Sequence, residues 1–106
     1  ILVAQGSDRV DQLLVSKFDG EQKAEDEAVF TVTGLADTGV ECKRTRLHQT
    51  LVYDCPGTYQ SKSYRRLFFP IPHNGESYLL LIQTPGETLA EAGRVAEPIV
   101  NSVKFR

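Results

Sequence analysis

Cys42-Lys43-Arg44-Thr45-Arg46-Leu47-His48-Gln49-Thr50-Leu51-Val52-Tyr53-Asp54-Cys55 is the stretch on which the fold turns. Residues 40–47 and 50–55 read as two antiparallel strands meeting at His48-Gln49. With a two-residue loop there, Leu47 faces Thr50, Arg46 faces Leu51, and the count outward ends with Cys42 opposite Cys55. Starting from a hydrogen-bonded Leu47–Thr50 pair, the cysteines form a non-hydrogen-bonded pair. Their Cα atoms are then about 4.5 Å apart, inside the roughly 4.4–6.8 Å that a disulfide tolerates. Register and cross-link therefore support one another. His-Gln lacks the Gly or Asn that a type I′ turn favours, so a longer loop about the same centre stays open.

Outward from that hairpin, strand and turn signals alternate. Pro56-Gly57 reads as the turn that ends the second strand. Residues 63–69 and 77–83 form a second hairpin about His73-Asn74-Gly75, and Pro70 and Pro72 are expected to limit how far its first strand pairs. Tyr78-Leu79-Leu80-Leu81-Ile82 is apolar on both faces, which predicts a central strand covered from both sides. After the Thr84-Pro85-Gly86 break, Thr88 and Glu91 have capping-box spacing, and Leu89, Ala92, Ala96, Ile99, Val100 and Val103 trace one helical stripe. Pro98 lacks a backbone donor and is expected to kink or interrupt that helix near residues 94–97.

Upstream the reading divides. Ser7 or Asp8 as a cap, Val10, Leu13, Leu14 and Phe18 at helical spacing, and Gly20 as a stop favour a short N-terminal helix. Leu13, Val15 and Lys17 also alternate with Leu14, Ser16 and Phe18, which is a strand pattern, so both readings stand with helix preferred. Residues 21–27 are acidic and polar, a linker or a frayed helix end; residues 28–33 are β-branched and aromatic ahead of Gly34, which predicts a strand. Asp37-Thr38-Gly39 then turns the chain. Together these signals place the chain in the α+β class: an antiparallel sheet of four to five strands packed by a C-terminal helix and a short N-terminal helix.

At 106 residues and 41% apolar, residues 1–106 suffice for one domain with one modest core. No run nears the roughly 20 apolar residues of a membrane-spanning helix. A start at Ile1-Leu2-Val3-Ala4 with no methionine anywhere is expected of a processed chain or an excised piece of a longer one. Net charge is −2, ordinary for a globular protein, so no global attraction to nucleic acid or anionic membrane follows. Charge is unevenly placed, however: residues 1–41 carry net −6, residues 42–73 net +5 and residues 74–106 net −1.

Twelve residues separate the cysteines, which is neither a CxxC redox pair nor half of a zinc knuckle, and His48 and His73 are not placed to complete a metal site. A structural disulfide is the expectation, with a contribution of about 3 kcal/mol for a loop of this size. Lys43, Arg44, Arg46, Arg65 and Arg66, joined by Lys62, are the one cluster that suggests a ligand. Tyr53 falls opposite Arg44, where cation–π stacking is available. In strands Arg44 and Arg46 share a face that Lys43 does not, and Arg65 and Arg66 point oppositely, so the cluster competes with a plain solvated sheet face. No GxSxG, calcium-loop or phosphate-binding glycine pattern is present, and nothing in the sequence unites Asp54, His48 and His73. The expectation is therefore no catalytic residue, no metal and no cofactor.

Residues 40–105 resemble PsbP-like and DcrB/Mog1-like α/β/α domains. The likeness rests on the strand Ser77-Tyr78-Leu79-Leu80-Leu81-Ile82, the Thr84-Pro85-Gly86-Glu87 loop and a helix closing on Ile99-Val100-Asn101-Ser102-Val103-Lys104-Phe105. It implies an antiparallel sheet between helices, an extracytoplasmic setting (periplasm, lumen or lipoprotein) and action by protein association without catalysis; it transfers no functional residue. The function expected is that of a noncatalytic extracytoplasmic accessory or protein-binding domain that meets its partner through the basic strands or the acidic N-terminal segment. Two alternatives stand beside it. One is a small enzyme or enzyme subunit completed by another chain, which would gather at least two of His48, His73, Asp54, Ser61 and Arg66 in a cleft. The other is polyanion binding, which collapses with salt.

Overall fold

The computed structural model describes residues 2–3, 11–47 and 49–105. The Ser7 or Asp8 cap, Val10 and the loop residue His48 lie outside the described residues. Strands β3 (Lys43–Leu47) and β4 (Thr50–Tyr59) pair antiparallel with Leu47 opposite Thr50, Arg44 opposite Tyr53 and Lys43 opposite Asp54. One step further out, Cys42 and Cys55 are disulfide-bonded, with their Cα atoms 4.3 Å apart.

Pro56-Gly57 does not end β4. The strand runs on to Tyr59 and pairs with β5 (Lys62–His73); the turn falls at Gln60-Ser61, both with positive φ (50° and 66°). Alternation explains why Pro56 fits. In a hairpin closed by Leu47–Thr50, the even residues of β4 turn their N–H toward β3, and β3 has ended at Lys43 before Pro56 needs a partner. The same parity places Pro70 and Pro72 within β5. They stand at non-hydrogen-bonded positions toward β6 (Glu76–Pro85), so that ladder continues through Pro70–Leu79 and Pro72–Ser77 to the Asn74-Gly75 turn. Their missing donors point toward β4, and there the β4–β5 ladder stops at Tyr53–Phe68. The prolines thus limit one ladder and leave the other intact.

The N-terminal third departs most from expectation. Residues 12–19 form strand β2 (Gln12–Asp19) along the outer side of β6, not a helix. The helix α1 is Lys23–Asp37, which absorbs both the acidic stretch and the residues 28–33 expected as a strand. Ala24, Ala28, Val32 and Leu35 supply its sheet-facing stripe, whose first two members are wholly buried. The start of α1 has no side-chain cap from its own sequence. Instead the Ala24 N–H donates to Ser77 Oγ (2.9 Å), and that hydroxyl donates to the Gly20 carbonyl (2.7 Å). Gly39, at φ 90°, closes the other end.

Helix α2 (Leu89–Asn101) begins as the capping spacing requires, with the Glu91 N–H donating to Thr88 Oγ1. It runs unbroken through Pro98, which is exposed, as is Arg94, so the carbonyl that loses a donor lies on the wet side. The main sheet is antiparallel throughout in the order β2-β6-β5-β4-β3; a separate ribbon pairs β1 (Leu2–Val3) with β7 (Lys104–Phe105). Strand parity sorts the core into two layers. Val52, Leu67, Phe69, Leu80 and Ile82 pack on Ala92, Ala96 and Ile99 of α2, while Tyr53, Cys55 and Phe68 pack on Ala28 of α1 from the opposite face. Tyr78–Ile82 is covered from both sides as expected. Gly93 lets α2 come close, since a Cβ there would press on Leu47 Cδ1.

Candidate functional site

The basic cluster is divided by the two faces of the sheet. On the α2 face Arg65 makes a two-pronged contact with Asp54, Nε to Oδ1 at 2.7 Å and Nη2 to Oδ2 at 2.8 Å, and its Nη1 donates to the Glu87 carbonyl at 2.8 Å. Asp54 is only 3% exposed. This arginine is consumed in fastening the loop before α2 to the sheet, and the adjacent carboxylate holds its guanidinium firmly protonated.

On the α1 face Arg44 and Tyr53 are neighbours, as the register requires, but what joins them is a hydrogen bond (Nε to the hydroxyl, 3.3 Å) and not a ring stack. Both also reach Glu25 Oε1 of α1 at 3.2 Å, so the three side chains tie β3 and β4 to the helix. The Gln22 amide at 2.6 Å, then Arg44 and Tyr53, hold the Glu25 carboxyl below the usual carboxylate range against the opposing pull of burial. Burial pushes the Tyr53 phenol up. Arg46 donates to the Gln49 carbonyl (3.0 Å), and Lys43 is exposed on the other face.

Arg66 differs from all of these. Beyond the disulfide, α1 no longer covers its face of the sheet, and a groove of about 490 Å³ opens there, walled by Tyr59, Lys62, Tyr64, Arg66 and Gln83 with Asp11 at one side. Its construction begins at Gly57. A Cβ at that position would collide with the ring and hydroxyl of Tyr64, the residue opposite it, so the glycine allows the tyrosine to lie flat across β4. The Arg66 guanidinium sits 5.4 Å from the Tyr64 ring centroid, and its Nε donates to Gln83 Oε1 at 3.1 Å. It is therefore held in place on the half-buried floor, yet among the described residues no carboxylate pairs with it. Tyr59 stands beside it, 69% exposed.

A second groove, of about 380 Å³, lies at the other end of the same face, where Pro70 and Pro72 part β5 from β4. Its acids are already engaged: Glu25 as above, and Glu21 by the Gly75 N–H at 3.1 Å.

Among the described residues the candidate catalytic groups Ser61, His73, Asp54 and Arg66 are not brought together. Ser61 and His73 bracket β5, twelve residues and about 40 Å apart along an extended strand. Asp54 and Arg66 face opposite sides of the sheet. Among the described residues no group of three His, Cys, Asp or Glu side chains is placed to hold a metal ion, and no helix is long and apolar enough to cross a membrane. Gly57, Tyr64 and Gln83 were not legible as site residues, because Pro56-Gly57 reads as a turn until the strand is known to pass through it.

No family model matches the chain, and no curated protein matches it. A crystal structure from Bacteroides thetaiotaomicron VPI-5482 is similar at 10% identity with a TM-score of 0.49, over 99% of this chain and 42% of that one. This chain thus spans less than half of that protein's length.

Proposed function

We propose that this chain is a noncatalytic accessory domain of an oxidising, extracytoplasmic compartment that binds an acidic segment of a protein partner in the Arg66 groove. The observation that carries the reading is the state of Arg66: positioned by Gln83 and Tyr64, and left without a carboxylate among the described residues. A guanidinium fork fixed in advance loses little freedom on meeting a carboxylate, and flanking tyrosines give large contact area at low entropic cost. Lys62 adds a second positive charge at the rim. The buried Cys42–Cys55 bond supports the compartment. The spatial order helix, sheet, helix supports the PsbP-like and DcrB/Mog1-like resemblance, which belongs to the same reading.

Pull-down from the source compartment tests it with three baits: the wild-type domain, Arg66→Glu with Lys62→Glu, and Arg44→Glu with Arg46→Glu. The reading expects a partner retained by the wild type and by the β3 reversals but lost by the groove reversals. Purified, that partner should bind Arg66→Ala about 30-fold more weakly, the size of an arginine hot spot. Identical partner sets from all three baits remove the groove from consideration.

A further inference from the structure

The turn between β5 and β6 is Asn74-Gly75, and both residues are exposed with positive φ, 50° and 80°. The ladder closes at His73–Glu76, so the Gly75 N–H takes no part in it. Instead it donates to Glu21 Oε1 at 3.1 Å, from a residue 54 positions away in the chain. The Gly75 carbonyl is held as well, accepting from the Gly20 N–H at 3.0 Å. Gly20 and Glu21 thus grip the turn by the groups on both sides of Gly75. The Asn74 side chain is also engaged, its Nδ2 lying 3.2 Å from His73 Nε2. The gripping segment is the one that seats α1, since the Ser77 hydroxyl donates to the Gly20 carbonyl and accepts from the Ala24 N–H.

We propose that Asn74 is a site of spontaneous deamidation, with water as co-reactant, and that Glu21 governs its rate by holding the Gly75 N–H. A side-chain amide followed by glycine is open to attack by the next backbone nitrogen, because glycine has no Cβ to obstruct the approach. The reaction begins when the Gly75 N–H gives its proton to hydroxide. The nitrogen then forms a bond to Asn74 Cγ, Nδ2 leaves as ammonia with a proton from water, and a cyclic imide remains. Water adds to either imide carbonyl and opens the ring to aspartate or isoaspartate, so one water is consumed and one ammonia released. A carboxylate on the Gly75 N–H opposes the first step twice: its hydrogen bond has to be broken, and its negative charge disfavours the amide anion. It also keeps the Asn74–Gly75 peptide from turning its nitrogen toward Cγ. Conversion sets a new carboxylate near Glu21 or, in the isoaspartate form, lengthens the two-residue turn, and either product works against the grip of Gly20 and Glu21.

Peptide mapping by mass and amide exchange by NMR, both on the intact chain at mildly alkaline pH, test the proposal. Base-catalysed exchange of the Gly75 N–H passes through the same deprotonated amide as the cyclisation, so the two rates should move together. Glu21→Ala should raise both by about tenfold, the low end for a hydrogen bond to a charged acceptor, as suits an exposed one. Glu21→Gln keeps an acceptor and loses the charge, and should raise both by less. Asn101, the chain's other asparagine, and the N–H of the buried Leu80 serve as references; neither should change, which separates release of the turn from general destabilisation. In the wild type the mass gain of an amide-to-acid exchange should appear at Asn74 before Asn101, with isoaspartate among the products. The proposal is overturned by equal Asn74 rates in the wild type and Glu21→Ala, by Gly75 exchange that quickens while Asn74 does not, or by a rise shared with Asn101 and Leu80.

Discussion

Arg65 and Arg66 are adjacent in the chain and stand on opposite faces of one strand, and the regions they occupy are finished differently. Around Arg65 the sheet is closed: Asp54 is buried, the fork is filled, and the loop into α2 is bonded to the same guanidinium. Around Arg66 the sheet is open: the covering helix stops short, a glycine and a tyrosine form the floor, and among the described residues no carboxylate meets the guanidinium. Identical side chains one residue apart thus end differently: one is neutralised by a buried carboxylate, and the other meets no carboxylate among the described residues. Charge content alone does not mark a site; what matters is whether the charge is already neutralised.

The comparison breaks most decisively at Asp54. Asp54→Ala leaves Arg65 with a fork facing a nearly dry region, which should cost about 3 kcal/mol or more in urea unfolding, whereas Arg66→Ala should change stability by no more than about 0.5 kcal/mol. Equal losses at the two sites would abolish the distinction between the faces. Next in size is the bond at the boundary between covered and open sheet. Replacing Cys42 and Cys55 together with alanine should cost about 3 kcal/mol or somewhat less, read as a lowered urea midpoint. Amide exchange should then rise first in α1 and β3, since Cys42 packs against the α1 cluster, and later in α2.

The smallest effect is expected at Glu25. Its folded-state pKa lies below the ordinary carboxylate value, so its contribution is complete above the unfolded-state pKa and is lost as pH falls through the carboxylate range toward the lowered folded value. Glu25→Gln should flatten the acid limb of a stability–pH curve in that window. An acid limb identical to that of the wild type would show that the Glu25–Arg44–Tyr53 contacts contribute nothing measurable.

The hairpin of β3 and β4 was legible down to its register because a two-residue count brought two cysteines opposite each other. Any other centre would have separated them. The Asn74-Gly75 turn, the two-sided apolar strand and the Thr88 cap were legible for a similar reason: each is a local pattern with a fixed geometry. Residues 28–33 were misread because Val29, Phe30, Thr31, Val32 and Thr33 have β propensity in isolation, while Ala24, Ala28, Val32 and Leu35 recur on a helical face that matters only once a sheet lies beneath it. Pro56, Pro70 and Pro72 misled for the opposite reason. A proline forbids one hydrogen bond, and whether that ends a strand depends on whether a neighbour stands on that side.

From sequence alone came the cross-link, the pairing of the basic strand with Tyr53, the closing helix and the uneven charge. These depend on spacings of a few residues, within which backbone geometry leaves little choice. Tertiary structure alone decided that Ser77 caps a helix 53 residues upstream, that Gly57 makes room for Tyr64, and that among the described residues a carboxylate meets Arg65 and none meets Arg66. Each of these depends on which segment comes to rest against which, and that is set by the burial of whole faces.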